Sequence, residues 1–156
     1  MAGDPCGLSQ RCHTVYMSHG AQITDPETIK RFATAGKARI TLVSGRTGDR
    51  FTYQVKLKKG SEDFYFVSVL TGPENTSNYT YLGHVAGGRF TDDRRLRIGQ
   101  EAPSRKGFQW FWKALHGASD LSQVEVWHEG RCGRCSRVLT VPESIQTGLG
   151  PVCAAR

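Results

Sequence analysis

The sequence has little that would carry it across a membrane and little that would make it a conventional enzyme. Of its 156 residues 38 % are hydrophobic, and no apolar stretch approaches the roughly 20 residues of a membrane span. The N-terminus lacks a basic region followed by an apolar run, so no secretion leader is expected, and a cytoplasmic location is. Cysteine is sparse, five in all and therefore an odd number. That argues against a disulfide framework and for a reducing compartment. Also missing are a nucleophile elbow, a phosphate-cradling glycine loop followed by Lys-Ser or Lys-Thr, and a His-Glu-x-x-His helix. The paired Asp92 and Asp93 lie in a basic stretch, where adjacent carboxylates are more often solvated or salt-bridged than catalytic. The expectation is a protein that is not an enzyme, of one compact domain with a small appendage, free of internal repeats and low-complexity tracts.

What the chain does have is concentrated near its C-terminal end. There the sequence reads His128-Glu129-Gly130-Arg131-Cys132-Gly133-Arg134-Cys135, with a further cysteine at Cys153. Three thiolates and an imidazole satisfy Zn²⁺ in a closed tetrahedron that leaves no position for water, the hallmark of a structural site. A two-residue gap containing glycine lets the Cys132 and Cys135 sulfurs turn toward one ion. A redox Cys-x-x-Cys would sit beside a strand-to-helix unit of thioredoxin type, whereas arginines and glycines surround this pair. A zinc deaminase would place His-x-Glu far upstream of its cysteine pair and keep one position open. Structural Zn²⁺ on His128, Cys132, Cys135 and Cys153 is therefore expected. Should His128 be only an exposed histidine after a strand, Cys6, Cys12 or His13 from the N-terminus is the alternative fourth ligand.

Between the ligands, Thr140 with Glu143 forms a capping-box pattern, Pro142 suits a first helical turn and Gly148 a left-handed stop. A short helix over 141–147 follows, and Gly150-Pro151 then turns the chain so that Cys153 returns to the metal. So short a segment buries too little apolar area to fold alone, and zinc is expected to contribute most of its folding free energy.

The run HEGRCGRCSRVLTVPESIQTGLGPVCA resembles the C-terminal segment of an uncharacterised zinc-binding family common in phages and other mobile elements of bacteria. Its members read H-x-x-x-C-x-x-C-x-x-x-L-T-x-P-x-S-I-x-x-G-x-G-P-x-C. The stretches Thr47-Gly48-Asp49-Arg50-Phe51-Thr52-Tyr53 and Asn78-Tyr79-Thr80-Tyr81-Leu82-Gly83 are similar to longer members, so the likeness extends over roughly residues 37 to 154. The resemblance implies the same four ligands and no particular activity. Ser136 stands where glycine is usual in that pattern.

The net charge of +7 is unevenly spread. From Arg89 to Lys113 seven Lys or Arg face three acids, and over residues 128–156 four arginines face two glutamates. A basic surface of this kind fits a nucleic acid or another polyanion as partner, against the plainer reading of a well-solvated exterior. Arg94, Arg95, Arg97, Lys106, Arg131, Arg134 and Arg137 are the candidate phosphate contacts, with Trp110 or an outward tyrosine for stacking. The leading expectation is a non-enzymatic, zinc-containing nucleic-acid-binding accessory protein of a phage or mobile element. The alternative is a protein-interaction module that inhibits or redirects a host enzyme or defence complex, of anti-restriction or anti-CRISPR type.

Periodicity gives the fold class. Residues 1–23 read as a tail. Asp25 as N-cap and Pro26 at the first position open a helix with Ile29, Phe32 and Ala33 on one face, closed by Gly36. Strands are expected over 38–44, 51–58, 64–70 and 79–85; Phe51, Tyr53, Val55 and Leu57 alternate with Thr52, Gln54, Lys56 and Lys58, which means one buried and one wet face. That wet face is a further candidate interface. Gly87-Gly88 should end the meander, 89–103 should be a connection, and Ser104 should cap a helix to about residue 116. Phe108, Phe111, Trp112 and Leu115 form its core stripe, with Trp110 nearly opposite and hence a candidate partner-binding residue. Val124, Val126 and Trp127 read as a last strand that delivers His128. The expected class is α+β: a mainly antiparallel sheet of four or five strands, two packing helices and a C-terminal zinc knuckle, divided as a 1–23 tail, a 24–127 domain and a 128–156 zinc segment.

Overall fold

The alternation of apolar and polar residues in the middle of the chain builds one antiparallel sheet, larger than periodicity alone suggested. The structure, a computed structural model, describes residues 21–72, 78–92, 102–117, 121–140 and 142–155. Seven strands, β1 (Ala21–Ile23), β2 (Lys37–Ser44), β3 (Arg50–Leu57), β4 (Phe64–Leu70), β5 (Tyr79–Ala86), β6 (Arg89–Asp92) and β7 (Val124–His128), lie in the order β1-β7-β2-β3-β4-β5-β6. Four helices accompany them: α1 (Pro26–Ala33), α2 (Pro103–Leu115), α3 (Pro142–Thr147) and α4 (Pro151–Ala154). The α+β class stands.

Two of the additional strands correct the sequence reading. Gly87 and Gly88 do not end the meander. Both have positive φ, 58° and 80°, the backbone of a two-residue hairpin turn that a Gly-Gly pair adopts at little cost. They turn β5 into β6, so residues 89–92 belong to the sheet and not to a connection. At the other edge, Ala21 to Ile23 pair with His128 to Val126 of β7; the last three residues assigned to the tail are a strand. Three residues are too few for a periodic signal, and only the β7 edge selects their extended form.

Both long helices pack on one face. Asp25 caps α1 as expected, its carboxylate accepting from the Thr28 amide at 3.0 Å, and Ile29, Phe32 and Ala33 are buried. Helix α2 opens at Pro103 with Ala102 as N-cap and no side-chain cap. Ser104 is thus inside the first turn, and its carbonyl accepts from the Tyr53 hydroxyl. The stripe Phe108, Phe111, Trp112 and Leu115 is buried as expected, and Arg105 continues it, fully buried. Facing these helices are Ala38, Ile40, Leu42, Tyr53, Val55, Tyr65, Val67, Val69, Leu82, Val85 and Val126, the inward residues of five strands. The opposite sheet face carries no described helix. Among the described residues no helix is long and apolar enough to cross a membrane.

Candidate metal centre

The last strand ends at His128, and the chain then doubles back on itself. The Leu139 amide donates to the Gly130 carbonyl at 2.8 Å, the Cys132 amide to Arg137 at 2.8 Å and the Ser136 amide to Cys132 at 2.9 Å, with Arg131 and Val138 bridged antiparallel. This narrow loop places the Cys132 and Cys135 sulfurs together, and helix α4, begun at Pro151, brings in Cys153. All three sulfurs lie within 4.8 Å of one another. Sulfurs bound tetrahedrally to one zinc-sized ion at about 2.3 Å would stand about 3.8 Å apart, so the three fit a common ion.

The surroundings favour the thiolate at one of them. Burial alone would push the Cys132 thiol up, but the amides of Gly150, Cys135 and Arg134 point at its sulfur, and with the Cys153 thiol they hold it down at about 7. Cys153 moves the other way, to about 11, because it is buried and lends its proton toward Cys132 and Cys135. A cation would replace that shared proton and let all three ionise, since the thiolate is the metal-binding form. Cys135 is exposed whereas Cys132 and Cys153 are buried, so the cluster opens to solvent on one side.

His128, expected as the fourth ligand, stands apart from the three clustered sulfurs. Its Nδ1 accepts from the Gly130 amide at 2.9 Å, so Nε2 carries the proton, and it donates to the Ile145 carbonyl oxygen. Both ring nitrogens are engaged by backbone, and neither offers a lone pair to an ion. Burial lowers its pKa from 6.5, against the Ile145 carbonyl and Glu129, which raise it. His128 thus pins the end of β7 to α3. Cys6, Cys12 and His13, the alternative donors, lie outside the described residues.

The contacts that seat the knuckle were not legible as functional residues. Gly133 and Gly148 lie so close to Phe32 that an added Cβ would stand 2.7 Å and 2.5 Å from its ring. The Lys37 amide donates to the Gly133 carbonyl at 2.6 Å and the Gly133 amide to Gly148 at 2.9 Å. The Phe32 ring also meets His128, centroids 5.7 Å apart, and Arg31 donates to the Ala154 carbonyl. The two glycines were the available signal: each admits backbone where any side chain would collide. Helix α3 ends at Gly148 with φ 78°, the left-handed stop expected there.

Of the basic candidates, Arg131, Arg134 and Arg137 are exposed on the knuckle, with Arg131 also donating to the Ser136 carbonyl at 3.0 Å. Lys106 is exposed on α2 and lies, with Trp110, along a groove of about 450 Å³ that Leu42, Phe51 and Tyr53 also line. Arg94, Arg95 and Arg97 lie outside the described residues. Of the four described candidates, three stand together on the knuckle and one on α2.

Residues 126–156, the stretch that holds the three cysteines, match a protein-family model described as a family of unknown function, DUF6011. No curated protein and no solved structure matches the chain.

Proposed function

We propose that the chain is a zinc-stabilised, non-catalytic nucleic-acid-binding accessory protein of a phage or mobile element. One observation carries the reading: Arg131, Arg134 and Arg137 are all exposed on a single tight loop with no acidic residue between them. Three guanidinium groups within seven residues, held on a metal-braced turn, supply the chemistry of phosphate contacts, since each offers several donors in a planar fork. The knuckle's neighbouring acid, Glu129, is engaged by Arg39 at 3.0 Å and does not neutralise them. Zinc is the proposed ion because three thiolates are soft donors and tetrahedral sulfur sites select it. For a fourth donor the sequence offers Cys6, Cys12 and His13, which lie outside the described residues. Thiolate-rich coordination of this kind braces a fold and leaves the chemistry to the surface around it.

Two measurements test this. Metal analysis of the purified protein should find one zinc per chain; its absence removes the zinc assignment. Fluorescence anisotropy with labelled DNA and RNA should show binding that weakens steeply with salt, with the log-log slope reduced by about 0.7 to 0.9 for each arginine among Arg131, Arg134 and Arg137 that touches a phosphate and is replaced by alanine. No association with any nucleic acid at low salt overturns the reading and promotes a protein partner, for which the half-exposed Trp110 and its apolar groove are the surface at hand.

A further inference from the structure

We infer that the open face of the seven-stranded sheet is a binding surface for single-stranded nucleic acid; this rests on the nucleic-acid reading above and adds to it a second surface and a class of ligand. Helices α1 and α2 both pack on the opposite face, and α3 contacts the β1 edge and α1. No described element lies over the outward residues.

Those outward residues are unusually aromatic on one half. Across β4 and β5, Phe64 stacks on His84 with centroids 4.9 Å apart and planes 6° from parallel, Phe64 meets Phe66 at 5.2 Å, and Phe66 meets Tyr81 at 6.1 Å. Phe66 is 39 % exposed, although it lies in the middle of a strand where a polar outward residue is the rule. Hydrophobic rings left open on a sheet mark a contact surface.

Cations frame the cluster. The register sets Lys56 directly beside Phe66 and Arg89 in the row of Ala86 and Phe64, while Lys58 holds its ammonium 5.1 Å above the Phe64 ring. Lys37 and Arg50 add two more exposed cations on the neighbouring strands. The described acids nearest this face have other contacts. Glu129 is paired with Arg39, and Glu125 accepts from the Trp127 indole at 3.0 Å. In the β3–β4 turn Glu62 lines a cleft with Arg134 and Cys153, and the charge of Asp63 acts on inward Tyr65. A cluster of rings bordered by Lys and Arg complements a polyanion that has flat apolar faces.

A single strand fits that description and a duplex does not. Unpaired bases can leave their own stack and lie on aromatic side chains, while phosphates follow flanking cations. In a duplex the base faces are closed against one another, and a broad sheet cannot reach them. A protein partner fits less well, because lysine is depleted from the cores of protein interfaces.

The test uses the full chain loaded with its metal, a fluorescein-labelled oligothymidylate of about 20 nucleotides, longer than the usual 4–16 nucleotide site, and a duplex of equal length. Wild type should bind the single strand more tightly than the duplex. Phe66→Ala should weaken single-strand binding by roughly 5- to 150-fold, the range of one lost base stack, and Phe66→Leu, which keeps the apolar bulk and the fold, should weaken it similarly. Lys56→Ala should flatten the salt slope by about 0.7. Unchanged single-strand binding in Phe66→Ala, Phe66→Leu and Lys56→Ala, with loss in Arg134→Ala/Arg137→Ala, overturns the sheet surface and leaves the nucleic-acid function standing on the knuckle. Failure of wild type to bind either probe at low salt overturns both.

Discussion

The sheet-and-helix body and the cysteine knuckle are held together in opposite ways. The body buries a continuous cluster in which six aromatic side chains, Phe32, Tyr53, Tyr65, Phe108, Phe111 and Trp112, pack with aliphatic residues from six strands. The knuckle buries only Cys132, Leu139, Leu149 and Cys153 as its own cluster, and two of these are cysteines of the site. At roughly 25 cal/mol per Å² of buried apolar surface, a core of that size cannot offset the conformational entropy of some 27 ordered residues. The body is therefore a product of apolar burial, while the knuckle, on the proposed reading, depends on a metal and on being seated against Phe32 and His128.

The sharpest way to break that contrast is to remove a sulfur. In Cys153→Ser the site keeps two of the three clustered thiols, and we expect bound metal to fall to a small fraction of one per chain. The apparent binding free energy of a structural zinc, about 10–16 kcal/mol, would be forfeited by the knuckle alone. Hydrogen exchange should then show residues 130–155 opened while β2, β3 and β4 stay protected. Full metal content in Cys153→Ser would remove Cys153 from the site, and simultaneous loss of protection in the sheet would show that the body leans on the knuckle.

Trp112 and Trp110 probe the body by itself. Trp112 is buried and donates its indole N–H to the Gly88 carbonyl at 3.0 Å, whereas Trp110 is 36 % exposed. Trp112→Ala should cost about 3–5 kcal/mol through the cavity it leaves, and Trp110→Ala about 1 kcal/mol or less. Thermal melts of the two side by side read this directly; equal losses would mean that Trp110 is part of the core after all.

At the junction, Gly148→Ala would set a methyl group against the Phe32 ring in a left-handed backbone. Roughly 2–4 kcal/mol is expected from the two effects together. The loss should appear as weaker metal retention under a competing chelator as well as a lower melting temperature. A melting shift with unchanged retention would place the strain in the body and not in the knuckle.

The smallest effect is a gain. Ser136 has φ 67°, the one non-glycine residue with positive φ among those described, and its amide closes the knuckle turn onto Cys132. Ser136→Gly relieves a conformation that costs an L-residue roughly 1–2 kcal/mol, and against the added flexibility of glycine in the unfolded chain we expect a net gain of about 1 kcal/mol or less. The expected outcome is slower metal release in a chelator chase, with the melting of the sheet unchanged.

Much of the fold was readable because it is local. Asp25-Pro26 encodes a cap whether or not anything packs beside it, and the alternation from Phe51 to Leu57 fixes which face is wet. The Gly-Gly hairpin was legible in principle and was misread as an end, because glycine pairs both terminate strands and join them. The edge strand β1 was not legible: residues 21–23 become extended only when β7 offers them hydrogen bonds. At the site, the cysteine spacing pointed correctly to a sulfur cluster. The same spacing could not assign His128, because a ligand and a hydrogen-bonded peg look identical in one dimension.

By itself, then, the sequence determined the things that depend on covalent neighbours: the α+β class, the apolar stripe of α2, the left-handed stop at Gly148, and the pairing of Cys132 with Cys135 across a two-residue turn. Only the tertiary structure decided which partners meet across long separations. It brought Cys153 to the pair, turned both nitrogens of His128 to backbone, set Gly133 and Gly148 against Phe32, and put Phe64, Phe66, Tyr81 and His84 on the sheet face over which no described helix lies. The reason is physical: caps, turns and periods are set by short-range sterics and hydrogen bonds, whereas the direction in which an imidazole points, or the face that two helices choose, is fixed by the free energy of packing the whole chain.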